Sequence, residues 1–303
     1  MKINRRSFLH QTALGVGGAL VGAPLLARAD TNPARSFDPY ELVPLGKTPL
    51  KASRFALGTG MRGGNRESNQ KRLGKPKFEA LIRGAYDRGV RLFDMADLYG
   101  THGYFADAIK GQPRDQYRIV SKIWFHDGGI PESERPGADV VVARFLKELK
   151  TDYIDLLLLH CVISPNWPTE LRRQMDLMAE LKSKGVLRAV GVSCHSVGAL
   201  EAAANEPWVD SVHTRINPYG MSMDDRPNVV VPILRKICAA GKGVVGMKII
   251  GEGRLRNDPD KRDASIKYAL TLDCVDVMIV GCESLEEVDD FATRVRKVTQ
   301  AAV

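Results

Sequence analysis

The feature that most constrains this chain is a regular alternation. Eight short apolar runs recur along it: RFALGTG (54–60), RLFDMA (91–96), YRIVSKIW (117–124), YIDLLLLHC (153–161), RAVGVSC (188–194), SVHTRIN (211–217), GVVGMKII (243–250) and DVMIVGC (276–282). Most are nearly continuous in apolar residues, which marks strands buried on both faces and therefore parallel. Between them lie stretches with helical spacing. KFEALIRGAYDRGV sets Phe78, Leu81, Ile82 and Ala85 at that spacing. PGADVVVARFLKELK opens on a helix-start proline, and PTELRRQMDLMAELKSKGV stops at Gly185. VGALEAAANE, VVVPILRKICAAG and KRDASIKYALTLD follow, and SLEEVDDFATRVRKV opens with Ser284 as N-cap and Glu287 as its box partner. Counted as eight strands and eight helices in strict alternation, with seven of the helical stretches plain, about 230 residues predict an α/β fold, a (β/α)8 TIM barrel, rather than an open doubly wound sheet. LVPLGKTPLKAS (42–53) reads as a short N-terminal hairpin that closes the barrel bottom.

The first 29 residues read as a targeting segment. Arg5 and Arg6 precede Ser7, Phe8 and Leu9, an apolar Gly- and Ala-rich run extends from Ala13 to Leu26, and Ala27 to Ala29 form a small-x-small cleavage site. Paired arginines before Phe-Leu suit a twin-arginine-type leader, with an ordinary secretory leader or an uncleaved disordered N-terminus as the alternatives. The apolar run is too short and glycine-rich for a permanent membrane helix, so stable membrane insertion of the mature chain is not expected. The division is 1–29 as signal peptide and 30–303 as barrel, with the translocase as a transient partner and the periplasm or exterior as destination.

Cleavage after Ala29 would remove Lys2, Arg5, Arg6 and Arg28 and no acid, taking the formal charge from +8 to +4. What remains is spread out, with no long basic run, so nucleic acid is not an expected partner. Cys161, Cys194, Cys238, Cys274 and Cys282 form no C-x-x-C, which argues against metal or iron–sulfur binding. An oxidising compartment would permit a disulfide, and Cys161 with Cys194 is the pair to inspect.

In a barrel of this type the chemistry gathers at the C-terminal ends of the strands. Those ends carry Asp94 with Tyr99 five residues on, then Lys122, then His160, then Ser193 followed by Cys194 and His195. An unpaired buried lysine is costly, so Lys122 in an apolar strand needs a partner. A lysine beside a tyrosine would lower the phenol pKa and make it a better proton donor to a carbonyl oxygen. A carboxylate would hold the lysine, and a neutral histidine would orient the carbonyl.

These residues carry a resemblance. From LGKTPLKASRFALGTG to SLEEVDDF, over nearly all of residues 42–298, the chain resembles the aldo-keto reductases. FDMADLYG is similar to the family's Asp-x-Ala-x-x-Tyr-Gly segment, SKIW supplies its lysine, LLLLHC its histidine, and GVSCH the segment after strand five. The resemblance implies Asp94, Tyr99, Lys122 and His160 as the catalytic tetrad. It also implies an extended nicotinamide dinucleotide, NAD(P)(H), lying across the barrel mouth without a Rossmann fold, and a small carbonyl substrate.

Departures from the family pattern matter as much. Where the family often has Ser-Asn holding the nicotinamide carboxamide, this chain has Ser193-Cys194, and the family's strand-six glutamine falls on His213, which serves the cofactor or belongs to the core. Met247 takes the place of a stacking aromatic, and Lys248 beside it could meet the pyrophosphate. Gly60, at the end of the first run, is a further cofactor-binding candidate. At the eighth strand end Glu283 and Ser284 stand where a cation usually meets the 2′-phosphate, so NADH preference is expected. Trp124 and Phe125, with His126, are candidate substrate-wall residues. The given sequence ends soon after the last helical stretch, so no long C-terminal substrate loop is expected and the mouth should be open.

The leading reading is an oxidoreductase exported already folded around its cofactor. Two alternatives are a non-catalytic dinucleotide- or ligand-binding barrel and an aldolase using Lys122 as a Schiff base. The Asp94–Tyr99 spacing disfavours the aldolase.

Overall fold

A computed structural model describes residues 36–299. The arginine pair, apolar run and cleavage site of the leader lie outside the described residues. In chain order the elements are β1 (Leu42–Pro44), β2 (Lys51–Ser53), β3 (Phe55–Gly58), α1 (Asn69–Arg72), α2 (Lys75–Arg88), β4 (Leu92–Asp94), α3 (His102–Ala108), β5 (Arg118–Ile123), α4 (Ala138–Leu149), β6 (Ile154–Val162), α5 (Trp167–Glu170) and α6 (Arg172–Ser183). They continue with β7 (Leu187–Cys194), α7 (Val197–Asn205), β8 (Ser211–Arg215), α8 (Pro227–Ala239), β9 (Gly243–Met247), α9 (Pro259–Thr271), β10 (Val277–Val280) and α10 (Leu285–Lys297).

Strands β3 to β10 close into a barrel of eight strands, every adjacent pair parallel, and β1 and β2 form a separate antiparallel hairpin. This is the expected TIM barrel. The continuous apolar runs have a simple cause. Leu156 and Leu158 point inward with Val120, Ala189 and Val245, whereas Leu157 and Leu159 point outward into the helix layer with Phe145 and Met178. Both faces of each strand are dry, so both positions of the period-2 pattern are mostly apolar, and buried polar residues below the mouth such as Asp155 and Ser121 are hydrogen-bonded.

The hairpin closes the bottom. Val43, Leu45, Leu50 and Ala52 join the same inner cluster as Leu92, Val120 and Leu156. Gly46 turns with φ +53°, and Lys47 N–H donates to Gly241 O at 2.7 Å, which ties the turn to the start of β9.

The helix ends follow local chemistry, with some differences from the sequence reading. Gly89 and Gly185 take the left-handed conformation just after α2 and α6. Ser284 caps α10, its hydroxyl accepting from Glu287 N–H at 3.3 Å, while Glu287 accepts from Glu283 N–H at 2.8 Å. Helix α4 starts at Ala138 with Gly137 as cap, so Pro136 precedes the helix instead of opening it. Helix α3 follows β4 and was not visible as an apolar repeat, because it is short and contains Gly103. The four-residue α1 and α5 are additions to the eight-helix pattern. All five cysteines are free thiols, so the Cys161–Cys194 disulfide is not formed.

Candidate active site

The site is built by one position on each strand. Moving two residues past the last apolar inward layer brings Leu92 to Asp94, Val120 to Lys122 and Leu158 to His160. Strand alternation therefore delivers an acid, a cation and an imidazole to the same level of the barrel, all buried. Lys122 Nζ donates to Asp94 Oδ1 at 2.5 Å and to Met95 O at 3.0 Å.

Tyr99 reaches this cluster from a single 3-10 turn, Asp97–Tyr99, that Gly100 ends with φ +64°. Its hydroxyl lies 3.3 Å from His160 Nε2. The ring slots against Gly60 and Gly63, where a Cβ at either position would overlap the ring atoms. The turn is pinned through buried Asp97. Arg66 Nε from the loop after β3 donates to it at 3.1 Å, and Arg144 of α4 grips it with two further bonds. Sequence reading missed this brace, although Asp97 lies within FDMADLYG.

Electrostatics assign protonation states. Burial alone would raise the Asp94 carboxyl, but the Lys122 ammonium and the His213 ring reverse that and hold it below its ordinary value. Burial lowers Lys122, with Asp94 opposing. Burial, with Lys122 adding to it, drives His160 well below its ordinary value, so the ring is neutral. Burial, reinforced by Asp94, pushes the Tyr99 phenol well up. This corrects the expectation that lysine lowers the tyrosine. Lys122 spends its hydrogen bonds on Asp94 and Met95, and meets Tyr99 only through the ring face at 5.0 Å from its centre.

A groove runs from Tyr99 along the ends of β9 and β10. Its inner part is lined by Gly60, Asp94, Tyr99, Met247, Lys248 and Glu252. It adjoins an outer cavity of about 300 Å³ that holds Glu283, and the two share Met61, Ile250, Gly253, Val280 and Gly281. Lys248 has φ +57° and pairs with Glu252 at 2.8 Å. In the outer cavity Arg262 bonds Asp290 at 2.8 Å, Arg294 bonds Asp263 at 2.6 Å and Asp290 at 2.8 Å, and Arg256 lies 3.6 Å from Glu287. Glu283 accepts from Asn69 Nδ2 at 2.7 Å. The three arginines went unnoticed in the sequence, since they come from two separate segments.

Other sequence-predicted positions fall elsewhere. Ser193 faces inward, and its hydroxyl accepts Cys161 N–H at 2.8 Å. Cys194, one residue on, necessarily faces outward and is buried among the helices, so it lies away from the mouth. His213 is buried on the barrel axis, 3.4 Å from Asp94 Oδ1, and lines neither part of the groove. Ser284 is occupied as a helix cap. Trp124 stands edge-on to His160 at 5.4 Å between ring centres and does border the site. Phe125 lines a second cavity, shared with His126, His160, Trp167 and Leu171, rather than the groove along β9 and β10. Among the described residues no cluster of three or more His, Cys, Asp or Glu could hold a metal ion, and no helix is long and apolar enough to cross a membrane.

With this geometry in view, the relatives are informative. Residues 54–265 match the Aldo/keto reductase family, and the chain belongs to it. It is 31% identical over 202 residues to aldo-keto reductase YhdN of Bacillus subtilis, across 63% of this chain and 57% of that protein. It is 29% identical over 213 residues to an NADH-specific methylglyoxal reductase of Escherichia coli, covering 64% of this chain and 63% of that one. The matches span between half and two thirds of the length of these curated relatives. In fold the chain is similar to aldo-keto reductase AKR11C1 from Bacillus halodurans, solved in its holo form. The TM-score is 0.66 at 20% identity, over 89% of this chain and 98% of that one.

The groove fits an extended dinucleotide. Its walls at Gly58, Gly60 and Gly281 lack side chains, and it leads from the tetrad to a polar outer cavity.

Proposed function

We propose that this protein is a nicotinamide-dependent reductase of small aldehydes, ketones or sugar-type carbonyls. One observation carries the reading: a neutral His160 and a protonated Tyr99 hydroxyl meet at 3.3 Å above the Asp94–Lys122 pair, at the closed end of a long groove. The residues to hold the dinucleotide are Gly60, Met247 and Lys248 toward the nicotinamide and pyrophosphate, with Glu283 at the adenosine end. When bound, it supplies the hydride that goes to the carbonyl carbon. His160 Nε2 orients the carbonyl oxygen. Tyr99 gives that oxygen its hydroxyl proton, leaving an alcohol, and recovers a proton from water. Lys122, held in place by Asp94, is the cation beside the Tyr99 ring that steadies the phenolate once it forms. Trp124 forms one wall for the substrate.

We further propose NADH preference. Each arginine of the outer cavity already faces a carboxylate, and Glu283 adds negative charge where a 2′-phosphate would lie. The relative that is an NADH-specific methylglyoxal reductase supports this, and methylglyoxal is a sensible first substrate. Glu283→Arg should tighten NADPH binding about tenfold, and unchanged NADPH affinity would remove Glu283 from the argument.

The deciding experiment is fluorescence titration with NADH and NADPH, followed by turnover of methylglyoxal. Tight binding and turnover, with Tyr99→Phe lowering kcat by roughly 10²- to 10⁴-fold, support the reading. Binding without turnover would move the protein to the non-catalytic binding barrel.

We also propose that the chain is exported folded, on the strength of Arg5, Arg6 and the Ala27–Ala29 site. The cofactor would then be loaded before export, held tightly and recycled by a second substrate. Replacing Arg5 and Arg6 by lysine should leave unprocessed precursor in the cytoplasm of a bacterial host, and normal export of that variant would sink the twin-arginine route.

A further inference from the structure

The Asp94–Lys122 pair has a third buried neighbour with no evident task. His213 is fully buried at the inward position of β8. Its Nε2 lies 3.4 Å from Asp94 Oδ1, the same oxygen that takes Lys122 Nζ at 2.5 Å. At that distance the contact is ion–dipole rather than a formed hydrogen bond, and neither ring nitrogen has another partner. A buried polar ring without a partner calls for an explanation.

The surroundings of the ring narrow the choice. From β4 it faces Asp94, from β5 Lys122 and from β6 His160. Ser193 of β7 and Val245 of β9 are its register partners. Asp94 is the one acid in this set. Burial lowers His213 below its ordinary value, with Asp94 opposing, so the ring is neutral and has one N–H to place. Asp94 Oδ1, 3.4 Å from Nε2, is the acceptor at hand for it.

We propose that His213 is a positioning residue, whose neutral Nε2–H is aimed at Asp94 and fixes that carboxylate under Lys122. The Lys122 hydrogen bond and the dipole of this ring together hold the acid ionised in a dry site, and the ionised acid keeps Lys122 charged beside the Tyr99 ring. The kinetic consequence rests on the reductase reading; the tautomer and the contact do not.

The sign of the effect follows. Without the ring, Asp94 is held less firmly as a carboxylate, so Lys122 loses support and its pKa falls. The alkaline limb of kcat should then move to lower pH.

The test uses the full chain with His213→Leu and His213→Gln, assayed with NADH and methylglyoxal. His213→Leu should lower kcat by up to about 10²-fold and move the alkaline limb down by about one pH unit, with KM and NADH Kd unchanged. His213→Gln keeps an N–H donor and should recover most of both. A His213→Leu enzyme with native kcat and pH profile overturns the proposal, and so does a loss confined to NADH affinity.

A second measurement needs no turnover and no folded variant at position 213. Nitrogen-15 spectra of histidine-labelled native protein should show His213 as a neutral Nε2–H tautomer from about pH 5 to 9, displaced in Asp94→Asn. An Nδ1–H tautomer, or a signal indifferent to Asp94→Asn, refutes the proposal. The expected tautomer in a chain without reductase activity would uphold the contact and refute the reductase reading.

Discussion

The two ends of the barrel are made of opposite materials. The bottom is plugged by Leu45, Leu50 and Ala52 of the hairpin against Leu92, Val120 and Leu156. The top holds an ion pair and a neutral histidine at the ends of the same strands, with the half-buried Tyr99 phenol set against them from the turn after β4. Backbone conformation follows the same division. Of the eight non-glycine residues with positive φ among the described residues, six (Arg62, Asn65, Arg66, Ser222, Lys248 and Glu252) lie beyond the C-terminal ends of strands, and Cys161 is the last residue but one of β6. The eighth, Lys150, is the C-cap of α4. Strain of this kind costs about 1–3 kcal/mol per residue and persists where the surroundings over-determine it. One end of the molecule is built for stability, and the other gives stability up to place functional groups.

That contrast can be broken in several ways. Lys122→Met should have the largest effect. It leaves Asp94 buried without its counter-ion, so chemical denaturation should show a loss of about 3–5 kcal/mol, together with loss of turnover. Adding Asp94→Leu should return much of the stability and none of the activity. If the single variant is as stable as the parent, the pair is more hydrated than its burial indicates.

Leu45→Ala tests the other end. Truncation in the bottom plug should cost about 2–5 kcal/mol of unfolding free energy while kcat stays within a factor of two. A parallel fall in kcat would show that the two ends are coupled.

Gly60→Ala should reverse that pattern. The new Cβ overlaps the Tyr99 ring and shifts the hydroxyl, lowering kcat by about 10²-fold with little change in Tm. Unchanged kcat would mean that the ring has another place to rest.

The smallest effect is at Glu148, on the outer side of the brace. Burial would raise its carboxyl, but the His102 ring, bonded at 2.7 Å, and Arg144 override that and hold it at about 2. A carboxyl lowered from 4.5 contributes stability that is complete above that pH and is lost as pH falls toward 2. Because Glu148 is partly exposed, solvent screens the effect. Glu148→Gln should change Tm at neutral pH by no more than about 2 °C and flatten its decline on the acid side. An acid limb as steep as the parent's would locate the sensitive carboxyls elsewhere.

Much of the fold was legible because the strands are buried on both sides. All eight apolar runs became barrel strands, and LVPLGKTPLKAS became the hairpin. Helix α3 was hidden, since a short glycine-containing helix carries too few apolar repeats to show a period. At the site, alternation held information that motif matching passed over. Ser193 and Cys194 are adjacent in one strand, so they cannot both face the mouth. His213 lies along β8, and nothing in its spacing showed that Asp94 lies across the barrel from it.

The sequence by itself determined the architecture and the identity of the groups at the strand ends, because both depend on local periodicity and on which residues interrupt it. Only the tertiary structure decided how those groups are used. The commitment of Lys122 to Asp94, the elevation of the Tyr99 phenol, the place of His213 and the pairing of Arg256, Arg262 and Arg294 with acids all arise between residues far apart in the chain. Charge, burial and hydrogen bonding act through space over a few ångströms, and no spacing along the chain encodes them.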